Sequence, residues 1–89
     1  NAIFWSAGFG SESLRAVLDF SFTELGLQRV QGSAIAGNIP ACRMMEKCGM
    51  QHEGLLRNYA LQKNEWYDFD LYSILWHEFQ SKHPKRSFT

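Results

Sequence analysis

Residues 11–34, SESLRAVLDFSFTELGLQRVQGSA, decide the fold class, because an amphipathic helix runs directly into a short strand. Six positions of this stretch recur at the spacing of one helical face, and all of them except Ser21 are apolar. They are Leu14, Val17, Leu18, Ser21, Phe22 and Leu25. Gly26 follows the helix predicted for residues 11–25, at the place where a helix end favours the positive φ that glycine adopts easily. The imperfect alternation of residues 27–34 predicts the strand.

The rest of the chain predicts a second helix and a hairpin. Asn38 and Pro40 mark a helix start, since Asn caps helix N-termini and Pro fits the first helical turn. After Gly49 the apolar period changes to two, and a polar turn at residues 62–65 precedes a strand over residues 66–75. The predicted order is helix, strand, helix, strand, strand. This is an α/β fold in which two helices pack against a three-stranded sheet.

Composition restricts the classes of function. The 89 residues suffice for one small domain, and nine basic and nine acidic residues cancel, which argues against nucleic-acid binding. No apolar run approaches the roughly 18 residues of a membrane span. Cys42 and Cys48 lie about 9 Å apart if the segment is helical, too far for a disulfide, which favours reduced thiols and a cytoplasmic protein. The three histidines have no metal-ligand spacing, so no metal site is predicted.

The loop of residues 5–10, WSAGFG, leads directly into the first helix and is a candidate anion site. The first N–H groups of a helix lack intrahelical partners and carry partial positive charge. Gly8 and Gly10 allow the backbone to approach a phosphate or pyrophosphate closely. The alternative is an ordinary turn before a helix. Asn38 has two interpretations as well: it only caps the second helix, or its amide also reaches a ligand between the two helices.

Three ordered blocks within residues 5–79 resemble the C-terminal half of a GNAT-superfamily N-acetyltransferase, specifically of the RimJ/RimL type. They are residues 5–30 (WSAGFGSESLRAVLDFSFTELGLQRV), 38–59 (NIPACRMMEKCGMQHEGLLRNY) and 64–79 (NEWYDFDLYSILWHEF). Trp66, Asp68 and Tyr72 stand at the family's usual spacing in the last block. The resemblance implies a partial GNAT fold with a mixed sheet, in which the strand after the first helix lies beside the last strand.

The resemblance also implies a reaction. An acetyl group would pass from acetyl-CoA to an amine, either a protein N-terminal α-amine or a small amine, by direct attack and without a covalent enzyme intermediate. The loop would hold the coenzyme pyrophosphate, and Asn38 would face the pantetheine arm. The coenzyme-binding residues implied are Trp5, Ser6, Ala7, Gly8, Phe9, Gly10, Ser11 and Asn38. No catalytic residue is assigned, because Ala41 and Met45 stand where relatives carry Ser or Tyr.

The resemblance further implies that residues 1–89 are a single domain, the C-terminal portion of a longer acyl-CoA N-acyltransferase, and that they do not catalyse alone. The alternative is a non-catalytic fragment of a degenerate relative, which binds coenzyme A or dimerises through the exposed edge of the strand at residues 27–34. Glu53 is either a base near the amine or a solvated carboxylate. Asp68 and Tyr72 either contact substrate or tie the last strand to a helix.

Overall fold

The computed structural model describes residues 10–82 of the chain. The elements are α1 (Ser11–Asp19), a π-helical turn (Phe20–Glu24), β1 (Arg29–Ile35), α2 (Ile39–Lys47), β2 (Gln51–Gln62), β3 (Glu65–Leu75) and α3 (Trp76–Lys82). The predicted order of helix, strand, helix, strand, strand is confirmed, and a third helix follows it. None of the helices in this part of the chain has the length and apolar character needed to span a bilayer.

The helix predicted for residues 11–25 changes its hydrogen bonding halfway along. The N–H of Leu25 donates to the carbonyl of Phe20, five residues back, as in a π-helix. The hydroxyl of Ser21 donates to the carbonyl of Val17 at 2.7 Å. A side chain thus bonds the carbonyl four residues earlier, which in a regular α-helix accepts from a backbone N–H. The wider turn carries Leu25 out of the predicted apolar face, and its side chain is 50% exposed.

The sheet has the strand order β1-β3-β2, and both pairings are antiparallel. The predicted position of β1 beside β3 is therefore confirmed. The mixed sheet expected from the resemblance is corrected: β1 and β2 run parallel to each other, but β3 lies between them and prevents a parallel pair. Within residues 10–82, β1 and β2 form the two borders of the sheet.

All three helices contribute to one hydrophobic core on one face of the sheet. Leu14 and Leu18 of α1, Met45 of α2 and Ile74 of β3 are each fully buried there. Alternate residues of β1 and β3 face this core, since side chains alternate along a strand. The core fixes α1 and α2 against each other, and that packing positions their N-termini. Cys42 and Cys48 form no disulfide with each other, and both are buried.

The third helix was not predicted from the sequence. Phe79 is 3% exposed, and its ring centroid lies 5.1 Å from that of Phe22. The Trp76 ring lies 5.6 Å from the same Phe22 ring. Glu78 Oε1 accepts a hydrogen bond from the N–H of Leu75 at 2.9 Å, which satisfies a donor at the helix start, as in a capping box. Aromatic packing and this carboxylate together stabilise a short helix in a polar segment.

Candidate functional site

The first turn of α1 presents backbone donors with no side-chain cap. Gly10, the N-cap residue, has an extended backbone (φ −77°, ψ 170°), and its position offers no side-chain acceptor. The N–H of Leu14 donates to the carbonyl of Gly10 at 3.1 Å, so the N–H groups of residues 11–13 have no partner within the helix. A Cβ added at Gly10 would meet no atom of residues 10–82 within 4 Å. The described residues therefore leave space beside Gly10, and the helix dipole there favours an anion.

The start of α2 is capped by Asn38. Its Oδ1 accepts a hydrogen bond from the N–H of Ala41 at 3.3 Å. The capping interpretation of Asn38 is therefore confirmed. The side chain is exposed, and none of residues 10–82 accepts a hydrogen bond from its Nδ2. A ligand contact through Nδ2 is compatible with the cap because the two interactions use different atoms.

A cavity of 360 Å³ lies between the start of α1 and the outer side of α2. Gly10, Pro40 and Met44 line it, and Arg43 and Lys47 add two cationic side chains. Arg43 and Lys47 are both exposed and stand one helical turn apart. Neither of them forms an ion pair or a side-chain hydrogen bond with any residue of the described range 10–82. The donor set of this cavity therefore fits a phosphate-bearing ligand.

The predicted coenzyme site lies only partly within the described residues. Gly10 and Ser11 form the start of α1, and Asn38 forms the start of α2. The other predicted residues, Trp5, Ser6, Ala7, Gly8 and Phe9, lie outside the described residues. Arg43 and Lys47 were not among the site residues predicted from the sequence. The signal that could have found them is a pair of cations at helical i,i+4 spacing in the helix that follows Asn38.

A second cavity, of 500 Å³, lies between α2 and strands β2 and β3. His52 Nε2 lies 2.8 Å from Asp70 Oδ1, and Cys42 Sγ donates to Asp70 Oδ2 at 3.8 Å. The hydroxyl of Tyr72 donates to Glu46 Oε2 at 2.9 Å. Burial raises the pKa of the Cys42 thiol, and burial with the hydrogen bond to Glu46 raises the pKa of Tyr72. Both groups keep their protons at neutral pH, and Tyr72 ties β3 to α2.

The other two sequence candidates are engaged within the sheet. Asp68 Oδ1 accepts from the N–H of Asn58 at 2.8 Å, and Asn58 has a positive φ of 47° in an irregular part of β2. Ser73 Oγ donates to Glu53, and Arg29 Nη1 lies 3.8 Å from Glu53 Oε2. Ser73 alternates with core-facing residues, so this cluster is on the sheet face opposite the helices. The structure does not bring Asp68 or Glu53 to either cavity.

The fold and the site define a class of protein, an α/β domain with an open helix N-terminus beside a cationic cavity. The family model described as Acetyltransferase (GNAT) domain matches residues 1–51. The chain belongs to this family of GNAT acetyltransferases. The partial GNAT fold expected from the resemblance is confirmed.

Relatives and solved structures agree with this assignment. The uncharacterized N-acetyltransferase YnaD of Bacillus subtilis (strain 168) is 36% identical over 75 residues, which are 84% of this chain and 44% of YnaD. A GNAT-family acetyltransferase from Bacillus anthracis is 37% identical with a TM-score of 0.71, over 79% of this chain and 42% of that one. Mutant forms of the spermidine/spermine N-acetyltransferase SpeG from Vibrio cholerae are 26% identical with a TM-score of 0.78, over 85% of this chain and 46% of that one. The chain thus spans less than half the length of these relatives.

Proposed function

We propose that the protein containing residues 1–89 is an acetyl-CoA-dependent N-acetyltransferase of the RimJ/RimL type, and that this chain supplies its coenzyme-binding part. The observation that carries the proposal is the cavity between α1 and α2, where an open helix N-terminus lies beside Arg43 and Lys47. Acetyl-CoA ends in a phosphorylated nucleotide, which is the ligand chemistry this cavity fits. The similarity to proteins named N-acetyltransferases favours an enzyme over a non-catalytic fragment.

The residues proposed to hold the coenzyme act mainly through amide groups. The backbone N–H groups of residues 5–11 hold the diphosphate, helped by the dipole of α1. Asn38 directs its Nδ2 toward the pantetheine arm while its Oδ1 stays on the helix cap. These contacts fix the acetyl end of the ligand relative to α2.

The bound cosubstrate would supply an acetyl thioester, whose carbonyl carbon the unprotonated acceptor nitrogen attacks. A carbon–nitrogen bond forms, the carbon–sulfur bond breaks, and sulfur leaves with the electron pair. The proton that nitrogen loses passes through solvent to the thiolate, so the products are an amide and a thiol. Ala41 and Met45 of α2 are 6% and 0% exposed and belong to the core. These two positions therefore contribute packing and no proton. The main contribution of this chain to the rate is positioning of the thioester.

The proposed acceptor is a primary or secondary amine, either the α-amine of a protein N-terminus or a small amine. The structural similarity to SpeG, named a spermidine/spermine N-acetyltransferase, supports a small amine. The RimJ/RimL resemblance supports a protein N-terminus. We place the protein in the cytoplasm, which suits two buried cysteines that are not joined by a disulfide.

We also propose that the border of β1 pairs with another strand, as in a homodimer formed edge to edge. The N–H of Trp76 donates to the carbonyl of Gln28, and the N–H of Ala36 donates to the carbonyl of Asp68, both at 2.9 Å. Even-numbered residues around β1 therefore direct their backbone groups toward β3, and the odd-numbered ones direct theirs away from the sheet. The latter include Arg29, Gln31 and Ser33. Such an edge is a template for strand pairing, and size-exclusion chromatography with light scattering tests for a dimer.

The enzymatic proposal is tested by binding and transfer measured together. The protein is titrated with acetyl-CoA by calorimetry, then incubated with acetyl-CoA and either spermidine or a peptide with a free α-amine. We expect binding, one acetyl group on one of these acceptors by mass spectrometry, and an equal amount of released coenzyme A thiol. A peptide with a blocked α-amine and no lysine is the matched control.

The outcomes separate the alternatives. Absence of both binding and product contradicts the acetyltransferase proposal. Binding with no product from a wide amine panel supports the non-catalytic alternative instead. We expect residues 1–89 expressed alone to bind acetyl-CoA weakly and to transfer nothing, because they span less than half of the relatives' length.

A further inference from the structure

Side-chain hydrogen bonds join α2 to β3 at two successive turns of the helix. The hydroxyl of Tyr72 donates to Glu46 Oε2 at 2.9 Å. One turn earlier, the thiol of Cys42 donates to Asp70 Oδ2 at 3.8 Å. Cys42 and Glu46 share one face of the helix because they are four residues apart, and Asp70 and Tyr72 share one face of the strand because they are two apart. A thiol is a weak donor, so the bond from Tyr72 is the stronger of the two links.

The carboxylate of Glu46 makes this contact rather than a local ion pair. Glu46 is exposed, and Arg43 stands three residues earlier, a spacing that allows an ion pair on a helix surface. Within residues 10–82 no ion pair joins these two side chains. Tyr72 is 3% exposed, and a buried hydroxyl needs a hydrogen-bond partner. The need of this hydroxyl for an acceptor therefore holds an exposed side chain of α2 against the sheet.

Apolar packing by itself defines the position of α2 less closely than this bond does. Ala41 and Met45 are 6% and 0% exposed and hold the helix in the core. The hydrophobic effect is non-directional, so such contacts oppose removal of the helix from the sheet more than a small shift along it. A hydrogen bond requires a short distance and a narrow range of angles, and it resists that shift. The bond from Tyr72 thus fixes where α2 lies along β3.

The position of α2 determines where Asn38 lies. Asn38 is the N-cap of the helix, and its carbonyl accepts from the N–H of Cys42 at 3.1 Å. Glu46 follows Asn38 by eight residues, which is a distance of about 12 Å along a helix. Gly37, with a positive φ of 94°, precedes Asn38 in the short turn after β1. A shift of α2 along the sheet therefore moves the Asn38 amide relative to α1.

We propose that Tyr72 and Glu46 are positioning residues for coenzyme binding: their hydrogen bond sets the position of α2 and so directs Nδ2 of Asn38 toward the pantetheine arm. This inference rests on the proposed function, because it takes acetyl-CoA as the cosubstrate and Asn38 as a ligand contact. Both side chains line the second cavity and not the one beside α1, so they act through the helix without touching the coenzyme.

A double-mutant cycle tests whether Tyr72 acts through Asn38. The affinity for acetyl-CoA is measured by calorimetry for the protein containing residues 1–89 and for its variants Tyr72→Phe, Asn38→Asp and the double variant. We expect Tyr72→Phe to weaken binding about threefold in the unaltered background and less than about 1.5-fold in the Asn38→Asp background, where the amide donor is already lost. A general loosening of the fold would instead weaken binding by the same factor in both backgrounds.

Variants of Glu46 test the same bond from the helix. Glu46→Gln keeps an oxygen that can accept from Tyr72, so we expect an affinity within about 1.5-fold of that of the unaltered protein. Glu46→Ala removes the acceptor, and we expect it to weaken binding about threefold, as Tyr72→Phe does.

Tyr67→Phe is the matched control, because it removes another hydroxyl that donates to a carboxylate. Tyr67 bonds Glu65 at 3.1 Å near the hairpin turn and lines neither cavity described here. We expect this variant to bind acetyl-CoA as the unaltered protein does. Circular dichroism establishes that each variant is folded.

Three results overturn the proposal in a protein that binds acetyl-CoA. One is an equal loss of affinity from Tyr72→Phe in both backgrounds, which would restrict Tyr72 to stabilising the fold. Another is an unchanged affinity in both Tyr72→Phe and Glu46→Ala. The third is an unchanged affinity in Asn38→Asp, since the proposal acts through that amide. A failure of the unaltered protein to bind acetyl-CoA overturns the proposed function itself.

Discussion

Replacement of Asn38 separates its two roles, because the cap and the proposed ligand contact use different atoms. Asn38→Asp keeps an oxygen that can accept from the N–H of Ala41, whereas Asn38→Ala removes both the acceptor and the amide donor. The 3.3 Å length of this hydrogen bond is beyond the usual range, which places the cap at the weaker end of such interactions. We expect Asn38→Ala to lower the free energy of unfolding by about 0.5–1 kcal/mol and Asn38→Asp to change it by less than about 0.5 kcal/mol.

The helix itself should survive both substitutions, since Ala41, Cys42 and Met45 hold α2 in the core. If Nδ2 donates to the pantetheine arm, both variants lose that hydrogen bond and bind acetyl-CoA about threefold to tenfold more weakly. Urea unfolding followed by tryptophan fluorescence measures stability, and calorimetry measures binding. Equal destabilisation by Asn38→Asp and Asn38→Ala would refute the capping argument. Unchanged binding by both variants would refute the contact with the pantetheine arm.

Substitutions at Phe22, Glu78 and Cys48 test the fold and its titration. Phe22→Ala should lower the free energy of unfolding by about 3–4 kcal/mol in urea titrations, because Phe22 is 4% exposed and contacts two aromatic rings of α3; a loss below about 1 kcal/mol would contradict this packing. Glu78→Ala should lower the free energy of unfolding by about 0.5–1 kcal/mol, and Glu78→Gln should lower it by less, since Gln keeps an oxygen that can accept the hydrogen bond at the start of α3. Equal losses of stability in the two variants would argue against the cap. Burial raises the pKa of Cys42 and of Cys48 above the usual 9.0, so the folded state holds these protons more tightly than the unfolded chain, and stability is lost as pH rises past 9.0. In urea titrations across this range, Cys48→Ala should lose less stability than the unaltered protein, and identical pH profiles would show that burial of this thiol is not the cause.

Local signals were sufficient for most of the fold. The spacing of Leu14 and Leu18 predicted α1, and the change of period after Gly49 predicted the hairpin. The sheet order came from family resemblance, since strand neighbours depend on contacts distant in sequence. The π-helical turn was not predicted because it involves a serine hydroxyl that bonds a backbone carbonyl. The third helix was not predicted because it is stabilised by tertiary packing of Phe79.

The candidate site was less predictable than the fold. The cap at Asn38 is a local interaction, and the sequence predicted it correctly. The cationic pair Arg43 and Lys47 was visible as a spacing, but only the packing of α1 against α2 shows that a cavity opens beside it. The contact between His52 and Asp70 depends on the pairing of β2 with β3, including a register shift just after His52, which no local pattern encodes.

The most direct test of coenzyme binding between α1 and α2 is amide hydrogen exchange by mass spectrometry, with and without saturating coenzyme A. We expect slower exchange in the first turn of α1, residues 11–14, and at the start of α2, residues 38–42. The hairpin turn at residues 62–65 should be unchanged and serves as the internal control. Protection confined to the hairpin, or no protection at either helix start, would contradict the assignment of this site.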